Sequence, residues 1–420
     1  MAANSFPRTF VLAAALLGLA ARLAFGLGYW VGEPLNRDEV EYMSLARSLV
    51  AGHGYVYDDH VKTGAVEPFG RAPGYPVFLA LVGGGTSYVE AVPASVKITQ
   101  SVVGAIGVIL IGVAAFRMGG RRPAMAAAAI ASVYPPLVWV AGFAYSESVF
   151  WPAGLALGLL VSRTLDEPRA TIWKWALLCG LMTGGAILLR AATLLYVPLA
   201  GGWFAWKRHW AAVACFALGL AIVLTPWTIR NIRHHHRFVI VASDGGVTFW
   251  TGNNPQAIGE GDMASNPHLK VASLALKAQH PSLSEEQMEP VYYREALGWI
   301  REHPIDWLVL MTKKVFYLVV PVGPSYTKSH STRYYAASLL SLGVILPLAA
   351  IGLWRLGPRR GRLAGFWLLA AAAVATCLVF FPQERFRIPV LDPALILCAS
   401  GVWLSGPWRD ADAAVRRKAA

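Results

Sequence analysis

The stretch TFVLAAALLGLAARLAFGLGY at residues 9–29 carries Arg22 as its only charge, and runs of this kind recur to the end of the chain. A helix needs about 20 apolar residues to cross a hydrocarbon core, where no water satisfies an exposed backbone. Such runs restrict the chain to a bundle of membrane helices. Ten are expected, at about 9–29, 92–116, 123–141, 146–162, 172–189, 191–206, 210–227, 334–355, 363–381 and 387–406. Composition agrees, with 56% hydrophobic and 15% charged residues, against about a quarter charged in an ordinary soluble domain. The expected class is an all-α polytopic membrane protein, one module over 1–420.

A net charge of +13 raises the question of nucleic acid, but the basic residues are not spread over a face. They sit in short links between apolar runs: Arg117, Arg121 and Arg122; Arg163, Arg169 and Lys174; Lys207 and Arg208; Arg355, Arg359, Arg360 and Arg362; Arg416, Arg417 and Lys418. That is the positive-inside pattern, which orients a membrane protein, and no nucleic-acid motif accompanies it. Both termini are expected to be cytoplasmic, with 407–420 a basic tail. Two long segments, 30–91 and 228–333, then face outward. The run DWLVLMTKKVFYLVVPVG at 306–323 is excluded as a span, because counting it would move GPRRGR to the outer side. Lys313 and Lys314 at its middle suit an interfacial helix. The four cysteines all lie within apolar runs, so neither a disulfide nor a zinc cage is expected.

Long loops on membrane proteins usually carry function. The first should hold an amphipathic helix over 37–50, stopped by Gly52 and Gly54, and another from Pro73. The second opens with RFVIVASDGGVTFW, whose alternation around Gly-Gly predicts a short hairpin, and continues through TGNNP to a helix near 284–302, ended by His303-Pro304.

The candidate chemistry gathers in these loops and at the nearby helix ends. Asn36 can cap the helix from 37, with Glu39 as its partner three residues on; that explains Glu39, and Asp38 only in part. Asp38 and Glu39 are the candidate catalytic acids. Arg71 is either an interfacial anchor or a phosphate contact, for which a planar guanidinium is well suited. Glu147, in YSES, either caps a helix or faces a cavity. Arg190 stands between two apolar runs with nothing nearby to neutralise it, which favours an anionic partner; Arg22 poses the same choice. Arg385 and Arg387 flank the last outer turn beside Glu384, against the charge bias, which again favours an anionic ligand over a surface ion pair. Asn253 and Asn254 of TGNNP are candidates for an acceptor or cavity role. His234, His235 and His236 read as a solvated turn, since three adjacent imidazoles cannot face one ion. Asp410 and Asp412 resemble a nucleotide-sugar metal motif but fall in the cytoplasmic tail.

Read in series, NRDEVEYMSLARSL, RAPGYPVFLA, YSES, TPWTIRN, GGVTFWTGNNPQAIG, REALGWIREHPIDWLVLMTKK and RFRIPV resemble the integral-membrane GT-C glycosyltransferases. The branch is that of protein O-mannosyltransferases and lipid A aminoarabinose transferases, and more closely a bacterial subgroup sharing their catalytic module. The resemblance implies a GT-C helical bundle in the plasma membrane with its site facing outward. It implies inverting transfer of a sugar from a polyprenyl-phosphate carrier to a lipid, glycan or protein acceptor. The family's essential acid matches Asp38 as general base; Arg71 and Arg190 match its phosphate-binding cations, and Arg385 and Arg387 join them as candidates. No cofactor is firmly implied, since some members use a divalent ion and others do not. Asp38 and Glu147 could share an ion only if the fold joins them. Gly70 before Arg71 replaces the aminoarabinose transferases' Glu, and Ala72-Pro73 replaces a Pro pair.

Two other readings compete. A transporter or flippase would show paired repeats and broken helices at mid-membrane, whereas the distinctive residues here sit at span ends and in loops. An O-antigen polymerase or ligase would place its decisive Arg and His in one late outer loop, without an acid after the first span.

Overall fold

The computed structural model describes residues 5–58, 70–87, 89–261, 266–284, 287–320 and 332–405. Their regular structure is helical, apart from one isolated bridge between Pro34 and Ala91. The first half comprises α1 (Arg8–Leu23, continued by a π turn), α2 (Arg37–Val50), α3 (Gly74–Leu81), α4 (Ala94–Gly119), α5 (Arg121–Val133), α6 (Pro135–Trp139), α7 (Glu147–Thr164), α8 (Ile172–Leu189) and α9 (Tyr196–Trp206). The second comprises α10 (Trp210–His235), α11 (Gly245–Gly252), α12 (Pro267–Ala278), α13 (Glu289–Glu302), α14 (Pro304–Val319), α15 (Thr332–Leu356), α16 (Ala364–Val379), α17 (Glu384–Arg387) and α18 (Leu391–Ser400). The expected tail, with Asp410 and Asp412, lies outside the described residues.

The ten expected runs coincide with helices, but they are not ten uniform spans. Five described stretches are long and apolar enough to cross a membrane: Arg8–Tyr29, Ala94–Gly119, Ile172–Leu189, Trp210–His234 and Tyr335–Val379. A sixth arises if the pair Arg121–Val133 and Pro135–Gly142, bent by 59°, is one span. The sequence supplies the breaks. Pro135 and Pro136 lack the N–H that would carry α5 onward. Arg190, extended at φ −150° and ψ 105°, interrupts the path from α8 to α9. That leaves Ala191–Trp206 short, and Leu391–Trp403 is short as well.

Lipid offers apolar side chains no reason to associate, so membrane helices pack through close backbone approach at small residues. The α8–α10 contact is of this kind: a Cβ on Gly180 would lie 2.2 Å from the Phe216 carbonyl oxygen, and one on Gly219 would lie 2.4 Å from that of Leu177. On α1, Leu12, Leu16 and Leu17 face outward, as lipid contact requires. Arg22 does not snorkel. It is fully buried, donates to the carbonyls of Gly18 at 2.8 Å and Ala131 at 3.3 Å, and lies 5.7 Å from the Trp151 ring. It ties α1 to α5 and α7.

Away from the long loops, the basic links converge at the far end of α4. Arg117 pairs with Asp166 and donates to the carbonyls of Ser162 and Arg362. The long loops meet at the other end. The expected helices over 37–50 and from Pro73 form, as does the one ending at His303. The expected hairpin does not. Residues 245–252 are helix α11, because Trp250 packs against Tyr292 of α13 and Gly246 lies against Glu289 too closely for a side chain. Tertiary contact outweighs the β-propensity of Val247, Phe249 and Trp250. The run at 306–323 forms α14, with Leu310 and Lys314 buried and Ile305, Leu308 and Phe316 exposed; residues 321–323 lie outside the described set. His236 is left-handed at φ 53°, ending α10 in a turn.

Candidate functional site

The site is assembled on the first turn of α2. Asn36 and Glu39 form a reciprocal capping box: Glu39 N donates to Asn36 Oδ1 at 3.2 Å, and Asn36 N donates to Glu39 Oε2 at 2.9 Å. The second carboxylate oxygen of Glu39 accepts from Ala144 N at 2.7 Å, and Asn36 Nδ2 donates to Tyr145 OH at 2.5 Å. Glu39 is therefore the buried bolt that fastens α2 to the turn before α7. Burial raises its pKa above the usual range, outweighing the bonds from Asn36 and Ala144.

Asp38, one residue earlier, bridges two arginines. Its Oδ1 lies 2.8 Å from Arg71 Nη2, and its Oδ2 lies 2.6 Å from Arg385 Nη1. Burial alone would raise its pKa, but the two guanidiniums prevail and hold the carboxyl well below the usual range. Arg71 also donates through Nε to Glu41 at 2.7 Å and lies 5.3 Å from the Tyr42 ring. Arg385 passes on to Glu147, with Nε 3.1 Å from Oε1, and lies 4.6 Å from the Tyr145 ring. Arg190 Nη1 reaches the same Glu147 oxygen at 2.9 Å and Ser146 Oγ at 3.3 Å. The result is one chain, Glu41–Arg71–Asp38–Arg385–Glu147–Arg190, in which three cations meet three carboxylates. Arg71, Asp38 and Arg385 keep 20%, 24% and 23% of their side-chain surface, so a ligand can reach them.

Each arginine is delivered by contacts distant in sequence. Gly74 brings α3 against the end of α8, where a Cβ would lie 2.9 Å from the Leu188 carbonyl oxygen, so the segment that carries Arg71 meets the helix end that Arg190 follows. Tyr55 OH donates to the Arg71 carbonyl at 2.7 Å. Tyr55 is held in turn by Arg230, which donates to its carbonyl at 2.9 Å, and by an edge contact with Trp227. Trp227 and Asn231, from the same TPWTIRN segment, donate to the Val241 carbonyl. One helix end thus braces both long loops.

Of the expected site residues, Asp38, Arg71, Glu147, Arg190 and Arg385 come together. Arg387 does not join them. It lies 3.7 Å from Asp392 and 3.8 Å from Glu384 and donates to the Val320 carbonyl, within the bundle. Asn253 and Asn254 are equally remote in role. Asn253 donates to the carbonyls of Phe249 and Val379 and accepts from Trp307 Nε1 and Lys314 Nζ. Asn254 donates to the carbonyls of Trp250 and Thr251. Asn253 locks α11 to α14 and α16, and Asn254 closes the C-terminal end of α11. Asp38 and Glu147 do approach each other, but the Arg385 guanidinium occupies the position between them. No group of three His, Cys, Asp or Glu converges as a metal site among the described residues. Sequence reasoning overlooked Glu41, although its position three residues after Asp38 places both on one helix face. It also overlooked Tyr42 and Tyr145, whose rings cover the arginines.

The elements form a bundle of membrane helices with an arginine-rich polar site at the end where its long loops meet. Structural likeness supports the fold. Over 94% of its residues the chain superposes on the archaeal oligosaccharyltransferase AglB from Archaeoglobus fulgidus in complex with an inhibitory peptide and a dolichol-phosphate, at a TM-score of 0.56 and 12% identity. A second structure of that enzyme, tethered to an acceptor peptide containing the NVT sequon, gives 0.57 at 12% identity and the same coverage. The chain covers 50% of the length of each. A weaker likeness, TM-score 0.44 and 15% identity, joins it to ArnT from Cupriavidus metallidurans bound to undecaprenyl phosphate, over 94% of this chain and 77% of that one. No protein-family model matches the chain, and no curated protein matches it in sequence.

Proposed function

We propose that the protein is a glycosyltransferase that moves a sugar from a polyprenyl-phosphate donor to a lipid, glycan or protein acceptor at the outer face of a bacterial plasma membrane. The bridge from Asp38 to Arg71 and Arg385 carries this reading. The three arginines are held by carboxylates in a site that stays partly open. A donor phosphate offers the same guanidiniums a better bidentate partner, and the AglB likeness supports it, since that enzyme was solved with a dolichol-phosphate.

Binding and catalysis are then coupled through Asp38. A phosphate on Arg71 and Arg385 displaces its oxygens and neutralises the two charges that keep its pKa low. The freed carboxylate becomes a competent base only when donor is present. The acceptor O–H gives its proton to Asp38 as its oxygen bonds to the anomeric carbon. The bond from that carbon to the phosphate oxygen breaks, and its electron pair leaves with the phosphate. Arg71, Arg190 and Arg385 stabilise the charge that develops there, and a single displacement inverts the anomeric centre.

The test is transfer of radiolabelled sugar from polyprenyl-phosphate donors to extracted membrane acceptors by purified protein. Asp38→Asn keeps the shape but cannot take the proton, and its rate should fall about 100-fold or more. Full transfer by Asp38→Asn would remove the base from the mechanism. No consumption of any lipid-linked sugar by the parent protein would remove the reaction itself.

A further inference from the structure

Asp244 is the carboxylate beside this site that none of its arginines holds. Its position is fixed through the backbone. Ser243 N donates to the Gly70 carbonyl at 3.1 Å, and Gly70 N donates to Ser243 Oγ at 2.9 Å. Residue 243 is thus laced to the residue preceding Arg71. Asp244 follows directly, with Arg71 as its attractive charge and Asp38 as its repulsive one. Behind it, the Asp244 carbonyl accepts from Thr248 N at 3.1 Å and Thr248 Oγ1 at 2.7 Å. Gly246 N donates to Glu289 Oε1 at 3.3 Å, where a Cβ on Gly246 would strike Glu289 at 2.6 Å.

The backbone of this turn is engaged, whereas the side chain is not. Among the described residues, the Asp244 carboxylate has no ion pair and accepts no hydrogen bond from another residue. Burial raises its pKa above the usual range against the pull of Arg71. A half-buried carboxylate left short of donors is unfavourable unless a ligand supplies them. The neighbours decide which ligand. A cation would be repelled by Arg71, and a second anion by Asp38 and Asp244. A neutral polyol meets neither objection. Its hydroxyls can donate to Asp244, and the phenols of Tyr57 and Tyr293, kept protonated chiefly by burial and in smaller part by nearby carboxylates that include Asp244, can donate and accept in turn.

A sugar linked through its anomeric oxygen to a phosphate on Arg71 lies within reach of the carboxylate beside that arginine. We propose that Asp244 is a specificity residue that accepts hydrogen bonds from hydroxyls of the donor's sugar ring. This rests on the glycosyl-transfer reading above and assigns the sugar end of the same donor.

Two ligands separate the two claims: polyprenyl phosphate, and the same lipid carrying glucose, mannose, galactose or arabinose. In calorimetric titration of the purified protein, the best of the four glycolipids should bind about tenfold or more tightly than the bare phosphate. Asp244→Ala should abolish that preference while leaving polyprenyl phosphate binding unchanged. Asp244→Asn, which keeps the size and one acceptor oxygen, should retain part of it and serves as the measurement if the alanine variant does not fold. Arg71→Ala should weaken both ligands together. A full preference retained in the Asp244 variants, an equal loss for both ligands, or no preference in the parent protein would overturn the assignment. A parent protein that binds neither lipid would instead overturn the glycosyl-transfer reading.

Discussion

Arg385 and Arg387 stand two residues apart on the single turn α17, and the structure uses them in opposite ways. Arg385 turns outward into a chain of short contacts, 2.6 Å to Asp38 and 3.1 Å to Glu147, and keeps 23% of its side-chain surface. Arg387 turns inward, 3% exposed, with Asp392 at 3.7 Å and Glu384 at 3.8 Å, and donates to the carbonyl at the end of α14. A reachable guanidinium in close contact with carboxylates can exchange them for a ligand. An enclosed one at longer range has nowhere to send its partners and serves as a strut. Charge count does not separate the two; access does.

The largest expected effect tests the outward side. Arg385→Ala should lower sugar transfer by about 100- to 1000-fold, the loss typical of a donor aimed at developing charge, with only a small change in thermal midpoint. On the inward side, Arg387→Ala should cost about 3–5 kcal/mol of stability, because it leaves buried Asp392 without its cation. Its residual activity should follow the folded fraction in a thermal unfolding series. If Arg387→Ala lost transfer while melting with the parent protein, or if Arg385→Ala were the less stable of the two, the division between site and strut would fail.

The smallest effect concerns Lys314, which supports the same inward side through Asn253 and the Leu378 carbonyl. Burial pushes its ammonium down to about 7, from an ordinary value of 10.5. Between these values the unfolded chain binds the additional proton, so stability should rise with pH through this window, by at most about 1.4 kcal/mol per pH unit. Thermal unfolding from pH 7 to pH 9 should show that rise in the parent protein. Lys314→Met, of similar length and uncharged, should flatten it. An equal slope in both would place the titration elsewhere.

Much of the frame is legible in the sequence because its causes are local. The capping box of Asn36 and Glu39, the bounds of the helix over 37–50, the start after Pro73 and the stop at His303-Pro304 all depend on residues within one turn of one another. The site was legible as a set of residue types at helix ends. It was not legible as a set of partners, because Arg71 meets Asp38 across 33 positions and Ser146 meets Arg190 across 44. RFVIVASDGGVTFW misled for the same reason: its alternation is real, but the contacts of Gly246 and Trp250 with α13 determine that part of it is helix.

The sequence by itself determined that the chain is a membrane bundle and that acids and arginines gather at one end, because apolar length and charge placement suffice for both. It also supplied Glu39 as the capping partner of Asn36, while leaving it a candidate catalytic acid until the capping box and the Ala144 bond were seen. Only the tertiary structure decided that Arg385 faces the site while Arg387 does not, that Asn253 and Asn254 are internal locks, and that Ser243, just before Asp244, pairs with Gly70, just before Arg71. Those outcomes depend on which side of a turn is packed and which is left open, a property of neighbours that residue order does not contain.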